Sequence, residues 1–300
     1  MALLDTNTQV SAIIGDIGSG LDHPECITWG CDGYAYAGGE AGQIYRIDLA
    51  ARTFEEFANV GGFVGGICQD AQRRLYVCVG DVKRVDPDGT VSTYCDRAGD
   101  TPLKVANYPV FDARGNLYVS DSGGWLENSG WICNIAPGGA AEVWSRDLSE
   151  FPNGTAMDAA GEYLYVAMSS DPGIARIEIN ADGSAGAAEM LVSLPETVPD
   201  GLAFDAEGTG YCSCYRPDRI YQYTADGLLD ILADDYAGTA IAAPTNIAFC
   251  GPELDLFLSA NLGRWHISKY ELGKIGQPLN YPEVPSVSYT HLTLPTNREV

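Results

Sequence analysis

Short apolar segments separated by glycine-rich turns run through the chain, and no stretch with a helical period interrupts them. One apolar segment recurs six times: GYAYAGG (33–39), RRLYVCV (73–79), GNLYVSD (115–121), EYLYVAM (162–168), TGYCSCY (209–215) and LDLFLSA (254–260). The equivalent positions 35, 75, 117, 164, 210 and 256 are 40, 42, 47, 46 and 46 residues apart, the period of a four-stranded propeller blade. A second strand follows in each unit: GQIYRIDLA, GDVKRVDPDG, GWICNIAPGG, GIARIEINADG, DRIYQYTADG and WHISKYELGK. Tight turns such as Pro87-Asp88-Gly89 and Ala225-Asp226-Gly227 then reverse the chain into an outer strand: FEEFANV, VSTYCDR, AEVWSRD, EMLVSLP and LDILADD. The sixth unit lacks that outer strand, whereas the leading segment TQVSAIIG is strand-like and has no blade of its own. The pattern therefore predicts an all-β fold, a six-bladed β-propeller over residues 1–284. Its blades are four-stranded and antiparallel, and the N-terminal strand closes the last one, which removes an open edge. Residues 285–300 fit no part of the repeat and are expected to be a non-native or disordered tail, so His291 is set aside.

Ahead of each LYV-like strand lies another apolar strand, the innermost of its blade. Counting four residues back from Trp29, Phe111, Met157, Phe204 and Phe249 reaches Glu25, Asn107, Asn153, Asp200 and Thr245. Counting ten back from Leu75 reaches Gly65 in the second unit. Innermost strands ring the central channel, so these positions converge at one mouth. Glu25, Asn107, Asn153 and Asp200 bring two carboxylates and two amide oxygens, a hard oxygen site suited to one divalent metal. Ca²⁺ fits best, with Mg²⁺, Mn²⁺, Zn²⁺ or Fe as alternatives. Asn153-Gly154 and Asp200-Gly201 each follow a proline and also read as ordinary turn dipeptides, as Asp88-Gly89 does. Phase separates them: Asp88 follows a third strand, whereas Asn153 and Asp200 begin a first. Asp70, Asp112, Asp158 and Asp205 recur one residue after the inner strand and read as turn formers.

In an antiparallel blade the loops between second and third strands open on the same mouth. They supply the candidate substrate-binding residues Asp121, Ser122, Tyr215, Arg216, Asn261, Trp265 and His266. Arg216 suits a polarised oxygen or a surface ion pair. His266 suits an acid–base role or a packed position beside Trp265.

Charge narrows the classes further. Asp+Glu total 41 against Lys+Arg 17, a formal net charge of −24, which repels nucleic acid and anionic membranes. No run of 18 apolar residues and no signal-peptide pattern is present, so neither a membrane span nor export is expected. Nine cysteines, an odd number set mostly within apolar strands, point to reduced thiols and a cytoplasmic location. Cys212 and Cys214 share one strand face and read as small buried residues.

With these residues assembled, the chain resembles the regucalcin–gluconolactonase family, the senescence-marker-protein-like lactonases, over nearly all of residues 15–282. The resemblance rests on His23-Pro24-Glu25, Asn107 before VFDARGNLYVSD, FPNGTAMDAAGEYLYVA, VPDGLAFDAEG and PTNIAFCGPELDLFLSA. It implies a six-bladed propeller with a divalent metal, usually calcium, held by Glu25, Asn153 and Asp200. It also implies Asn107 beside the metal on the substrate side and Asp200 as the base. Two departures touch the substrate rather than the metal: Ala106 stands where a proline commonly precedes the asparagine, and Arg264-Trp265-His266 lies outside the sugar-lactonase motifs. The expected activity is metal-dependent hydrolysis of a small-molecule lactone or ester, with Asp200 as general base and Asn107 hydrogen-bonding the substrate. Phosphotriesters are expected side substrates. The absence of a Gly-x-Ser-x-Gly elbow disfavours a serine hydrolase. The alternatives are a calcium-binding propeller without turnover and a strictosidine-synthase-like condensing enzyme.

Overall fold

Each LYV-like strand is largely apolar because it lies between two sheets, with no face left for water. In the computed structural model, which describes residues 2–16 and 20–285, these strands are almost wholly buried. Leu75–Cys78 and Leu117–Asp121 are buried throughout. They form the second strands of six four-stranded antiparallel sheets arranged as a six-bladed β-propeller, in agreement with the repeat. The innermost strands are Cys26–Trp29, Gly66–Gln69, Ala106–Phe111, Pro152–Met157, Val198–Phe204 and Pro244–Cys250. Blades one to five run inner to outer in chain order.

Blade six is completed from the other end of the chain, as expected from its missing outer strand. Val10–Gly15 pairs antiparallel with His266–Tyr270, from Val10 opposite Tyr270 to Gly15 opposite His266. Edge-to-face aromatic packing fills the wedges between blades; Tyr76 meets Tyr94 at 4.7 Å and, in the neighbouring blade, Phe111 at 5.0 Å.

The recurrent aspartates act as turn formers. One oxygen of each accepts two backbone N–H groups: Gln72 and Arg74 for Asp70, Arg114 and Asn116 for Asp112, Glu162 and Tyr163 for Asp158, Glu207 and Thr209 for Asp205. Cys212 and Cys214 are fully buried, and none of the nine cysteines forms a disulfide. A two-stranded hairpin, Arg97–Ala98 with Thr101–Pro102, elaborates the loop between blades two and three.

The repeat does not anticipate the course of the chain after blade six. Residues 274–284 cross the end of the channel where the inner strands finish. Gln277 N donates to Phe204 O (3.0 Å) and its side-chain amide to Met157 O (3.1 Å). Asn280 reaches Phe111 O (2.9 Å), the Tyr281 hydroxyl reaches Trp29 O (2.8 Å), and Pro282 O accepts Ala71 N (3.0 Å). This strap satisfies the last carbonyls of four inner strands and floors a pocket of about 120 Å³. The inner strands begin at the opposite end of the channel. The expected tail lies, apart from Pro285, outside the described residues.

Candidate metal centre

The inner strands start irregularly in four blades, and the irregularity falls on the candidate residues. Register breaks between Ala106 and Pro109, Pro152 and Thr155, Pro199 and Leu202, and Pro244 and Ile247. Asn107, Asn153, Asp200 and Thr245 each lie inside one of these bulges, which frees their side chains from the regular in–out alternation. The glycines beside them serve close packing rather than turning. Gly154 and Gly201 lie within strands, and neither has a positive φ. A Cβ on Gly154 would collide with the Asp200 carbonyl and come within 2.7 Å of Gly201 Cα. One on Gly201 would lie 2.5 Å from Asn246 Oδ1 and 2.8 Å from Thr245 O. Gly65, at the ring position of blade two, similarly admits the Asn107 carbonyl.

A layer of hydroxyls behind the ring fixes it. Ser122 Oγ donates to Pro152 O (2.8 Å) and Ser169 Oγ to Pro199 O (2.7 Å), each reaching the next blade. With its single proton so placed, each serine can only accept from the adjacent asparagine: Asn107 Nδ2 at 3.0 Å and Asn153 Nδ2 at 3.2 Å. Both amides are thereby oriented with Oδ1 away from the serine. Thr245 closes the ring by donating to Glu25 O at 2.6 Å.

Consequently, five buried side-chain oxygens have no hydrogen-bond partner here: Glu25 Oε2, Asn107 Oδ1, Asn153 Oδ1, Asp200 Oδ1 and Asn246 Oδ1. Glu25, Asn153 and Asp200 are 7%, 6% and 5% exposed. Burial raises the Glu25 carboxyl well above the usual carboxylate range, and the Asp200 charge raises it further, against the Thr245 hydroxyl, which lowers it. Burial alone raises Asp200 well above its range. Two desolvated acids and three bare amide oxygens facing one end of a channel lack positive charge. An all-oxygen set of this kind fits a hard divalent cation such as Ca²⁺ or Mg²⁺.

Asn246 is the member that sequence reasoning missed. It follows Thr245 in the same bulge, and the phase count stopped at Thr245. The only signal was an amide adjacent to a ring position.

The loop residues divide differently from expectation. Asp121 Oδ2 accepts Lys104 N (2.7 Å) and Val105 N (3.2 Å), and Oδ1 accepts Gly123 N, so this carboxylate holds the approach to Asn107. Ser122 is buried behind the ring. Asn261 is fully buried, donating to Ser259, His266 O and Ser268 and accepting Ala242 N. His266 is 1% exposed with Nε2 against Ala240 O at 3.2 Å, and burial lowers its pKa. These four therefore support the mouth from behind. Arg216 is exposed, bonds Asp218 (2.7 Å) and lies over the half-buried Tyr215. Trp265 remains at the rim, its ring 4.4 Å from that of His23. There, Asp22, His23 and Glu40 bring ligand-type atoms within 4.8 Å of one another, but His23 Nδ1 already contacts both carboxylates.

The sequence profile described as SMP-30/Gluconolactonase/LRE-like region matches residues 24–261. Among curated proteins, no sequence matches the chain. Similar solved structures include a gluconolactonase from Xanthomonas campestris, at 18% identity over 87% of this chain and 88% of that chain, with a TM-score of 0.74. A luciferin-regenerating enzyme aligns at 17% identity over 92% and 99%, with a TM-score of 0.75. A calcium-binding protein, regucalcin, from Agrobacterium tumefaciens aligns at 16% over 89% and 94%, with a TM-score of 0.69. At these identities the likeness to the structures is one of fold.

Proposed function

Because the chain belongs to the SMP-30/gluconolactonase/LRE-like family, we propose that it is a metal-dependent hydrolase of small lactones or esters. The observation that carries this reading is the group of partnerless buried oxygens at the end of the channel where the inner strands begin. Glu25, Asn153 and Asp200 would hold the cation, with Asn246 as a further oxygen on the ring. A divalent cation bound there supplies Lewis-acid polarisation of a carbonyl oxygen. Asp200 Oδ1, buried and unpartnered, accepts the proton of the attacking water. Asn107 commits Nδ2 to Ser122 and so presents Oδ1, an acceptor that orients water or substrate. Phosphotriesters fit as side substrates, since the same oxygen polarisation assists them. The nine unpaired cysteines suit a reducing, cytoplasmic compartment.

The test is hydrolysis of a lactone and ester panel by metal-stripped protein, alone and with added Ca²⁺, Mg²⁺, Mn²⁺ or Zn²⁺. Turnover is expected only with metal, and Asp200→Ala should lower it by about 100-fold or more. Tight cation binding without turnover on any member would favour the non-catalytic calcium-binding propeller instead.

A further inference from the structure

The position two residues ahead of each ring residue is itself a repeated position. It is occupied by His23, Phe63, Val105, Phe151, Val198 and Ala243. Five of the six are apolar; Ala243 is buried in the core, and the others stand at the end of the channel where the inner strands begin. Phe63 and Val105 are 46% and 37% exposed, too much for residues that only close a core. Phe151 carries the Trp125 ring edge-to-face at 5.0 Å, with Trp125 50% and Leu126 68% exposed, and the Trp265 ring lies tilted against His23 at 4.4 Å. A polar ring thus lies beneath an apolar collar.

Several hydrogen-bonding side chains of the same wall are already engaged. Both oxygens of Asp121 accept backbone N–H groups, Ser122 links Asn107 to Pro152, and Asn261 and His266 are sealed behind the mouth. A polyhydroxylated substrate would have to desolvate its hydroxyls against Phe63, Val105, Phe151 and Trp125, losing water contacts without replacement. A substrate with one polar head and an apolar body loses nothing of the kind and gains from the area it covers.

We infer that the mouth selects lactones or esters whose acyl or alkoxy portion is an alkyl chain or aromatic ring, with Phe63, Trp125 and Phe151 as specificity-determining residues. This rests on the hydrolase reading for the chemistry of the head group but not for the collar itself. The collar acts on binding, so its effect should grow with apolar area: each methylene added at the ring carbon of a γ-lactone should raise kcat/KM by up to about fourfold until the collar is filled.

Two series separate the collar from the chemistry. In the first, kcat/KM is measured on γ-lactones from unsubstituted to octyl-substituted, with gluconolactone alongside. In the second, unreactive γ-lactams bearing the same substituents are titrated against metal-loaded protein, followed by tryptophan fluorescence and thermal shift. Both series should rise with chain length, and gluconolactone should fall below the octyl lactone. Trp125→Ser and Phe63→Ser, at exposed positions where folding should survive, should flatten the slope, and Trp125→Phe should restore most of it. Lactone turnover that ignores chain length, or prefers gluconolactone, would overturn the collar while leaving the hydrolase reading intact. If no lactone is turned over, the lactam series still decides: affinity rising with chain length upholds the collar, and a flat series removes it.

Discussion

In the proposed reading, Asp200 serves function at the expense of metal-free stability. Its carboxyl and that of Glu25 are both held above the normal range, so in metal-free protein each resists ionisation in the folded state more than in the unfolded chain. For a group raised in this way, the penalty is absent below the unfolded carboxylate range near pH 4 and present above it. At pH 7, metal-free Asp200→Asn should therefore unfold at a higher temperature than the metal-free parent, by on the order of 5 °C. The advantage should disappear near pH 4, and the variant should lose most of the stabilisation that Ca²⁺ confers on the parent. Differential scanning calorimetry at the two pH values, with calcium and with chelator, reads all three effects; a variant less stable than the metal-free parent at pH 7 contradicts them. Neighbouring residues explain why the signal at this scale was only partly legible. Glu25, Asn107, Asn153 and Asp200 stand at one phase of a repeat, whereas Asn246 stands one step out of phase and reaches the ring because a bulge re-aims it.

At the scale of the element, the inner strand does two jobs: it packs against its neighbours around the channel and, in four blades, begins with a bulge that re-aims a polar side chain. Glycine reconciles them. Alanine at Gly154 would drive its Cβ into the Asp200 carbonyl, a backbone group that cannot swing aside. Gly154→Ala should cost about 1–3 kcal/mol and weaken calcium-induced stabilisation, because the strand that moves is the one that carries Asp200. Gly62→Ala is the control, since its Cβ would meet only Val79, with the nearest atom at 3.8 Å. Denaturant unfolding of both variants, with and without calcium, tests the difference; equal losses would mean that close approach at Gly154 is not limiting. The loops at this scale explain the displaced candidates. Asp121, Asn261 and His266 lie where the sheet topology puts the mouth, but direction is decided by backbone groups nearby: N–H donors draw Asp121 and Asn261 inward, and the Ala240 carbonyl draws in His266.

For the whole molecule, a ring of blades leaves a channel with two ends, and this chain treats them differently. One end collects the partnerless oxygens and the apolar collar. The other is bridged by residues 274–284, whose hydrogen bonds reach four inner strands and the loop after a fifth. Ending the chain after Gly273 would remove at least five such bonds, at roughly 1 kcal/mol each, and uncover the pocket behind them. The shortened protein should melt on the order of 10 °C lower yet still respond to calcium, because the strap and the oxygen ring lie at opposite ends. Thermal unfolding with and without calcium tests this; loss of the calcium response would mean that the strap holds the ring in shape.

The period of 40 to 47 residues, the largely apolar second strands and the orphan N-terminal strand determined six blades and their closure from the sequence alone, because burial on both faces writes itself directly into residue type. The phase of the inner strands likewise marked Glu25, Asn107, Asn153 and Asp200. What only the tertiary structure decided was direction and company: Asn246 Oδ1 left without a partner, Asp121 and His266 engaged by nearby backbone groups, Trp125 packing on Phe151, and the strap crossing the far end. Those outcomes depend on bulges, on hydroxyl protons committed between blades and on contacts between segments distant in sequence, none of which a periodic pattern records.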